Sequence, residues 1–311
     1  MKQDFPKLGI RLLCRLFGKT RHAYYDHRWR LQDEGMKDEI VLQHVLEIRK
    51  KQSRTGTLKL HFMLQEKLGQ HGIKIGRDYL FCLMREHGMS IRKRKRKTVT
   101  TNSRHWMRKY NNLVRGLEVN RPEQVWVSDI TYIQLKKQWG YLSLVTDAYS
   151  KRIMGWAFRT DLSAQGCIEA LKIALANRAY PQKELVHHSD RGSQYCSQNY
   201  VDLLTENRIA ISMTENGDPY ENAIAERVNG ILKEEFELYC SKSGFKDTIR
   251  KIRENIQTYN QLRPHASCDF LTPEQAHYKE GILKKRWKPK KYRIKENNTC
   301  IAQTELTNLS V

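Results

Sequence analysis

The sequence lacks the features that mark membrane and secreted proteins. No apolar run approaches the roughly 18 residues that a membrane-spanning helix needs, and no apolar signal core follows Met1. The seven cysteines are widely separated and form no CxxC pair, which argues against a disulfide framework and against a zinc ribbon. We therefore expect a cytoplasmic protein with reduced thiols.

Acidic residues are scarce relative to basic ones. The 311 residues include 56 Lys and Arg against 34 Asp and Glu, which gives a formal net charge of +22 and a pI of about 9.7. A solvated surface needs no such excess, so the composition favours a polyanionic partner, above all nucleic acid. An anionic membrane surface and simple solubility are the alternatives that composition leaves open.

Residues 1–90 have the pattern of a helical region. Apolar residues recur at helical spacing in IVLQHVLEI (40–48) and in LKLHFMLQEKL (58–68). The segment QHGIKIGRDYLFCLMREHGM (70–89) adds a glycine-containing turn and a second apolar stripe, which is the outline of a helix-turn-helix. A small helical hairpin with no role in DNA binding has the same outline.

Two segments are densely basic. Six consecutive basic residues run from position 92 to 97, and eight of the twelve residues in KKRWKPKKYRIK (284–295) are Lys or Arg, with Trp287 and Tyr292 among them. Like charges at this density favour an extended chain that contacts phosphates, and the aromatic rings suit stacking. A solvated linker and a solvated tail are the alternatives.

From residue 124 onward the pattern changes to strands and helices in alternation. Strands are predicted at 124–135, 141–150, 152–160, 184–190 and 209–214, and helices at 163–178, 197–208, 222–239 and 251–262. This order predicts an α/β domain with a five-stranded mixed sheet and flanking helices. It fits the ribonuclease-H-like architecture, although the pattern alone leaves other α/β folds open.

Two aspartates in this region are candidates for chemistry. An enzyme that acts on phosphodiesters needs carboxylates from separate elements to hold two divalent metal ions, because Mg²⁺ prefers hard oxygen ligands. Asp129 lies within an apolar strand, where a charge is costly unless it is paired or binds metal. Asp190 ends the fourth strand within HHSDRGSQY (187–195), a cluster that could be a metal site, an acid/base pair or a polar turn.

The third candidate, Glu226, lies on the predicted helix 222–239. Asn222, Glu226, Asn229 and Lys233 recur at spacings that place them on one polar face, separate from the apolar stripe. A single helical glutamate usually faces solvent, so the combination of three acids carries the interpretation. There are 35 residues between Asp190 and Glu226.

Five segments carry a combination of motifs. They are SDITY (128–132), KRIMGW (151–156), HSDRGSQY (188–195), ENAIAERVNGILKEE (221–235) and YNQLRPHASCDFLTPEQ (259–275). Together they resemble the signature segments of DDE transposases and retroviral integrases, and more narrowly the second-reading-frame transposases of insertion sequences in the IS-three group. Residues 46–89 resemble the helix-turn-helix segment of that group, but RTGTLK (54–59) lacks the tyrosine and arginines usual there, so the resemblance does not extend to the DNA contacts of the first helix.

The resemblance implies a division of the chain into five parts. They are an N-terminal helical segment (1–44), a helix-turn-helix DNA-binding domain (45–91), a basic linker (92–119), a ribonuclease-H-like integrase core (120–278) and a basic C-terminal tail (279–311).

The resemblance also implies the chemistry and the site residues. Asp129, Asp190 and Glu226 are the expected catalytic residues, which hold two Mg²⁺ ions (or Mn²⁺) for DNA strand cleavage and transfer of the exposed 3′-OH. Asp147 is expected to be structural, His187 to pack in its strand and His188 to line the site. The residues expected to contact DNA are Lys233, Arg191, Arg92, Lys93, Arg94, Lys95, Arg96, Lys97, Arg77, Arg263 and His265.

The implied partners follow from this activity. They are double-stranded DNA, as terminal inverted repeats and as target, and further copies of the chain in a dimer or larger assembly on the DNA. The upstream first-frame protein is a further expected partner, and the expected location is the nucleoid of a bacterial cytoplasm. Two rival functions are a catalytically silent DNA-binding regulator and a nuclease of the same fold that cuts without joining strands.

Overall fold

The computed structural model describes residues 6–91, 106–136, 138–215, 222–241 and 244–286. The helices there are α1 (Ile10–Leu16), α2 (Arg21–Lys51), α3 (Thr57–Gln70), α4 (Arg77–Glu86), α5 (Ala164–Ala176), α6 (Gln198–Glu206), α7 (Ala223–Glu235), α8 (Phe245–Leu262) and α9 (Pro273–His277). The strands are β1 (Val125–Gln134), β2 (Trp139–Asp147), β3 (Ile153–Arg159), β4 (Val186–Ser189) and β5 (Ala210–Met213). The predicted basic run 92–97 lies outside the described residues, as do Trp287 and Tyr292.

The N-terminal region is helical, as predicted, but its division differs from the prediction. α2 is one helix of 31 residues, capped by Thr20, whose hydroxyl accepts a hydrogen bond from the amide of Ala23 at 3.1 Å. The predicted boundary between residues 44 and 45 falls inside α2. Because Val41 already packs with Leu60 of α3 and Leu80 of α4, the unit that contains the α3–turn–α4 pair begins within α2.

The sheet has the strand order β3-β2-β1-β4-β5, so β1 lies at its centre. β1 pairs antiparallel with β2 and parallel with β4, and β4 pairs parallel with β5. Short turns connect the antiparallel strands, whereas α5 and α6 make the long connections to the parallel strands. The predicted five-stranded mixed sheet of the ribonuclease-H-like architecture is confirmed.

Helices cover both faces of the sheet. One face, with Trp126 and Val145, packs against α5 and α6. The other face, with Ile133 and Leu142, packs against α7 and α8. Successive side chains of a strand alternate between faces, so Asp129 shares the face of Ile133 and points toward α7.

Gly155, within the KRIMGW segment, permits the close approach of β3 and α5. A Cβ atom at this position would lie 2.1 Å from the carbonyl oxygen of Ala170 and 2.6 Å from the amide nitrogen of Ala174. These are backbone atoms of a packed helix and cannot move aside easily. The glycine therefore sets the distance between the sheet and α5.

A buried ionic network ties α9 to the sheet. His277 lies 3.2 Å from Oε1 of Glu123 and 3.6 Å from Oδ2 of Asp147, and none of the three side chains is exposed. Burial disfavours the charged imidazole, but its hydrogen bonds to Asp147 and Glu123 prevail and raise the pKa of His277. Asp147 also accepts hydrogen bonds from the amides of Glu123 and Ser150, which fits the structural role predicted for it.

Two findings on the described residues concern membrane helices and disulfides. No helix within these ranges is long and apolar enough to cross a membrane. The cysteines that fall within them, at positions 14, 82, 167, 196, 240 and 268, are free thiols, as predicted.

Candidate active site

The sheet brings Asp129 and Asp190 to adjacent positions. β1 and β4 are parallel neighbours, and Val127 is the register partner of His188. Continuing this register by two residues sets Asp129 beside Asp190, which directly follows β4. Two carboxylates that are far apart in sequence therefore meet at the centre of the sheet, next to the face that α7 covers.

Asp129 accepts two hydrogen bonds and is repelled by two neighbouring acids. Its Oδ2 accepts a hydrogen bond from the side-chain amide of Asn229 at 2.7 Å, and its Oδ1 accepts one from the amide of Ile130 at 2.9 Å. Burial raises the pKa of Asp129 to about 7, and the negative charges of Asp190 and Glu226 add to the shift. The Asp129 carboxylate therefore lies where burial and two neighbouring acids disfavour its negative charge.

α7 is attached to β1 by two asparagines of the predicted polar stripe. The side-chain amide of Asn222 donates to the carbonyl oxygen of Ser128 at 3.1 Å, and Asn229, two turns later, donates to Asp129. Glu226 lies between them on the same face, in the first turn of α7, and is exposed. The sequence showed this stripe, but it did not show that the asparagines bind the strand that carries Asp129.

The three carboxylates are close enough to affect one another electrostatically, but they do not form a closed metal site. Within the described parts of the chain, no three acidic, histidine or cysteine side chains lie close enough together to hold a metal ion. The interaction is electrostatic, because Asp190 and Glu226 both raise the pKa of Asp129. The structure therefore brings Asp129 and Asp190 together and directs the helix of Glu226 toward them.

The chemistry of these donors suits a hard divalent cation. The carboxylates supply oxygen ligands, and the cation would relieve the mutual repulsion that raises the pKa of Asp129. The Oδ1 atoms of Asn222 and Asn229 are buried and have no hydrogen-bond donor among the described residues. Buried oxygen atoms without a donor are unfavourable in a protein interior, and so are two adjacent carboxylates. A bound cation would offset both costs.

The turn after Asp190 depends on a glycine. The amide of Gly192 donates to Oδ1 of Asp190 at 3.0 Å. A Cβ atom on Gly192 would lie 3.0 Å from that same Oδ1 and 3.1 Å from Oε1 of Gln194. A larger residue at position 192 would therefore displace the carboxylate, so the turn at Gly192 orients Asp190.

The two histidines of HHSDRGSQY do not form a metal site. Nε2 of His187 lies 2.7 Å from the hydroxyl of Ser128 and 2.9 Å from that of Tyr200, and burial lowers the pKa of His187 to about 3. His187 is therefore a neutral residue packed within the sheet, as predicted. His188, expected to line the site, is instead fully buried, and its Nδ1 lies 2.8 Å from the hydroxyl of Ser212.

The residues predicted to contact DNA lie in different environments. Lys233 is half-buried on α7, two turns after Glu226; burial lowers its pKa, and the charge of Asp129 opposes that shift. Arg191 lies half-buried next to Asp190. Arg77 is exposed at the first position of α4 and donates a hydrogen bond to Asp78. The residues of the run 92–97 lie outside the described ranges.

The structure places Arg263 and His265, both predicted to contact DNA, inside the protein. Arg263 is only 2% exposed, and its guanidinium donates two hydrogen bonds of 2.9 Å to the carboxylate of Glu235. His265 is buried beside Tyr259, with their ring centroids 5.2 Å apart. Both side chains are enclosed by protein, so the YNQLRPH segment stabilises the fold here.

Comparison with known proteins identifies relatives over most of the chain. A family model described as Integrase core domain matches residues 119–219, and a second model of the same description matches residues 207–273. The insertion element IS600 31 kDa protein of Shigella sonnei is 32% identical over 271 residues, which are 84% of this chain and 96% of that protein. Transposase InsF for insertion sequence IS3A of Escherichia coli (strain K12) is 29% identical over 280 residues, 86% of this chain and 94% of that protein. The HTLV-2 integrase catalytic core domain, solved in complex with magnesium, aligns with 51% of this chain and 98% of that chain, at 23% identity and a TM-score of 0.41.

Proposed function

The chain belongs to the insertion-sequence transposases that carry an integrase core domain, and we propose that Asp129, Asp190 and Glu226 are its catalytic carboxylates. Members of this family are enzymes of DNA transposition that cut and transfer DNA strands by phosphoryl transfer. The observation that carries the proposal is geometric: the register of β1 and β4 sets Asp129 beside Asp190, and Asn222 and Asn229 hold the face of α7 that carries Glu226 against β1. Carboxylates from separate elements are what two-metal phosphoryl transfer uses to hold its ions.

We propose that the three carboxylates hold two Mg²⁺ ions, with Mn²⁺ as a possible substitute. When bound, such ions neutralise charge on the attacking and leaving oxygens of the phosphodiester and favour deprotonation of water or of a 3′-OH. The hydrogen bond from Asn229 holds the carboxylate of Asp129 in place, and the turn at Gly192 does the same for Asp190. The contacts of Asn222 and Asn229 with β1 fix the helix that carries Glu226 against the strand that carries Asp129.

Apart from charge neutralisation, the role proposed for the protein is to position the DNA strands. The protein forms no covalent bond with DNA in this scheme, and catalysis comes from alignment of the 3′-OH with its target and from charge neutralisation. We propose that Lys233, on the same face of α7 as Glu226, contacts the DNA strand that enters the site, together with Arg191. Burial favours loss of the Lys233 proton, and a phosphate group would oppose that loss.

We further propose that DNA is held by several units of the chain. The α3–turn–α4 pair, with Arg77 at the start of α4, would bind the terminal inverted repeat, and the basic segments at 92–97 and 279–311 would contact phosphates. The integrase core (120–278) would act on element ends and on target DNA as a dimer or larger assembly. The upstream first-frame protein would join that assembly.

Substitution of the carboxylates tests this proposal. Asp129→Ala and Glu226→Ala should abolish cleavage of a labelled duplex that carries the element end, while affinity for the duplex stays within about two-fold of the wild type. Glu206→Ala, an exposed acid on α6, is the matched control and should cleave normally. Normal cleavage by either site variant would contradict the assignment.

The same assay separates the rival functions. A wild-type chain that binds the duplex but never cuts it, with Mg²⁺ or with Mn²⁺, would be a DNA-binding regulator. A chain that cuts but does not join the 3′-OH to a second duplex would be a nuclease of the same fold.

A further inference from the structure

The N-terminal helices carry a dense, exposed basic surface. Residues 6–30 contain seven Lys and Arg residues against a single Asp, and all seven basic side chains are exposed. The next stretch, 31–48, reverses this balance with five acidic residues and one lysine. Positive charge is therefore concentrated at the N-terminal end of α2 and on α1, and is not spread along the long helix.

On α2, two of the arginines share a helical face with two aromatic rings. Each residue of an α-helix turns by about 100°, so Arg21, Tyr25 and Arg28 lie within an arc of about 60°, and Trp29 widens the arc to about 100°. These four residues form the α2 stripe. The rings of Tyr25 and Trp29 have centroids 6.3 Å apart, and Trp29 is 61% exposed. Arg30 lies on the opposite side of the helix and is also exposed.

Nothing in the described parts of the chain covers the α2 stripe. α1 buries Leu13 and Cys14, and the second half of α2 packs on α3 and α4 from Val41 onward. Neither Arg21 nor Arg28 forms an ion pair with a described residue. An exposed Trp ring beside uncompensated arginines is the composition of a binding surface.

We propose that the α2 stripe binds the phosphate backbone of double-stranded DNA, as a contact separate from that of the α3–turn–α4 pair. Five of the seven basic residues in 6–30 are arginine, whose planar guanidinium can bind two phosphate oxygens at once. The Cα atoms of Arg21 and Arg28 lie about 10 Å apart along the helix axis. Duplex DNA presents about six charges over that length, and the two rings offer flat apolar surface to the sugars.

Charge argues against a second copy of the chain as the occupant. Each copy carries a formal net charge of +22, so copies repel each other until a polyanion neutralises them. The acidic stretch 31–48 of another copy is the one surface that could compete for the stripe. If the stripe binds another copy, the double variant should lose self-association.

The test measures how salt affects the affinity of the full chain for a random-sequence duplex of about 30 base pairs. Each phosphate contact contributes about −0.9 to the slope of log affinity against log salt. The variant Arg21→Gln/Arg28→Gln should reduce the slope by about 1.8. The control Arg30→Gln removes one positive charge from the opposite face of the same helix and should leave the slope unchanged, so the two proteins are compared per charge removed. Because the residues are exposed, thermal unfolding should be equal in all three proteins.

Three outcomes overturn the proposal. In the first, the double variant keeps both the slope and the self-association of the wild type. In the second, the Arg30→Gln control changes the slope as much per residue as the double variant does. In the third, the double variant keeps the slope but loses self-association in sedimentation, which would identify a second copy of the chain as the occupant. The proposal extends the proposed function by adding a DNA contact. The random duplex and the binding readout need no cleavage, so a failure of the assigned carboxylates would leave this result unaffected.

Discussion

Glu235→Gln should destabilise the protein strongly, because its carboxylate joins three parts of the chain. Glu235 ends α7, and it accepts two hydrogen bonds of 2.9 Å from Arg263 and one of 2.6 Å from Lys59 of α3. Its carbonyl oxygen also accepts a hydrogen bond from the amide of Arg54 at 3.1 Å. The helical N-terminal unit is thereby fastened to the helix that carries Glu226.

The magnitude follows from what the substitution leaves behind. Arg263 is 2% exposed, so a glutamine at position 235 leaves a buried guanidinium without its anion. Removal of one partner from a buried ion pair costs about 3–5 kcal/mol. For a chain of 311 residues, that corresponds to a fall in Tm of roughly 5–8 °C. The exposed pair Arg250–Asp247 is the control, and Asp247→Asn should cost less than about 1 kcal/mol.

The pH dependence gives a second signature. Burial opposes the ionisation of Glu235, but Arg263 and Lys59 prevail and lower its pKa to about 2. A depressed carboxyl pKa contributes stability above the ordinary value of 4.5, and this contribution is lost as pH falls toward 2. The deficit of Glu235→Gln in urea unfolding should therefore be full at pH 7 and shrink steadily below pH 4.5.

A double variant that removes both charges tests whether the cost of Glu235→Gln comes from the unpaired Arg263. Glu235→Gln/Arg263→Met removes both charges, so it should be more stable than the sum of the two single variants predicts, by about 2 kcal/mol. A deficit below 1 kcal/mol in Glu235→Gln, or strict additivity in the double variant, would refute the view that this cluster fastens α3 to α7.

Three further predictions concern other contacts. Gly192→Ala should slow single-turnover cleavage by about ten-fold through pressure on Asp190, with little change in Tm; an unchanged rate would contradict the orienting role of the turn. Gly155→Val should destabilise the core by about 3 kcal/mol or more in urea unfolding, since it collides with helix backbone, and wild-type stability would show that α5 can move away. His277→Ala should cost about 3 kcal/mol at pH 6. Because the pKa of His277 is raised from the ordinary value of 6.5, the part of this deficit that depends on the imidazole charge should fade as pH rises above the raised pKa, and a deficit that does not change with pH would contradict the charged state.

Sequence patterns predicted the sheet well, because burial leaves a direct trace in local composition. β1 is a long apolar run interrupted by Asp129, and the acid was noticeable because its neighbours are apolar. The polar stripe of α7 was visible for the same reason, since helical spacing groups Asn222 with Glu226 and Asn229. The pairing of these side chains with β1 needed the structure, because it depends on how α7 lies across the sheet.

Two features of the structure could not be read from local sequence. The family resemblance placed Arg263 among the DNA contacts, and the sequence gives no sign of its ion pair because Glu235 lies 28 positions away on another helix. The boundary at residue 44 followed the family resemblance, and the continuity of α2 across it needed the structure, because the apolar pattern that marks the packed part begins only near residue 40. Long-range ion pairs and solvent-exposed helices leave little mark on local sequence.

Asp129, Asp190 and Glu226 are proposed to act through bound metal ions. The most direct measurement is strand cleavage of an element-end duplex by Asp129→Cys in Mg²⁺ and in Mn²⁺, because Mn²⁺ accepts a sulfur ligand more readily than Mg²⁺ does. The variant should be inactive in Mg²⁺ and regain activity in Mn²⁺, whereas Asp129→Ala should stay inactive in both. Full activity of Asp129→Cys in Mg²⁺, or equal rescue of Asp129→Ala by Mn²⁺, would contradict the claim.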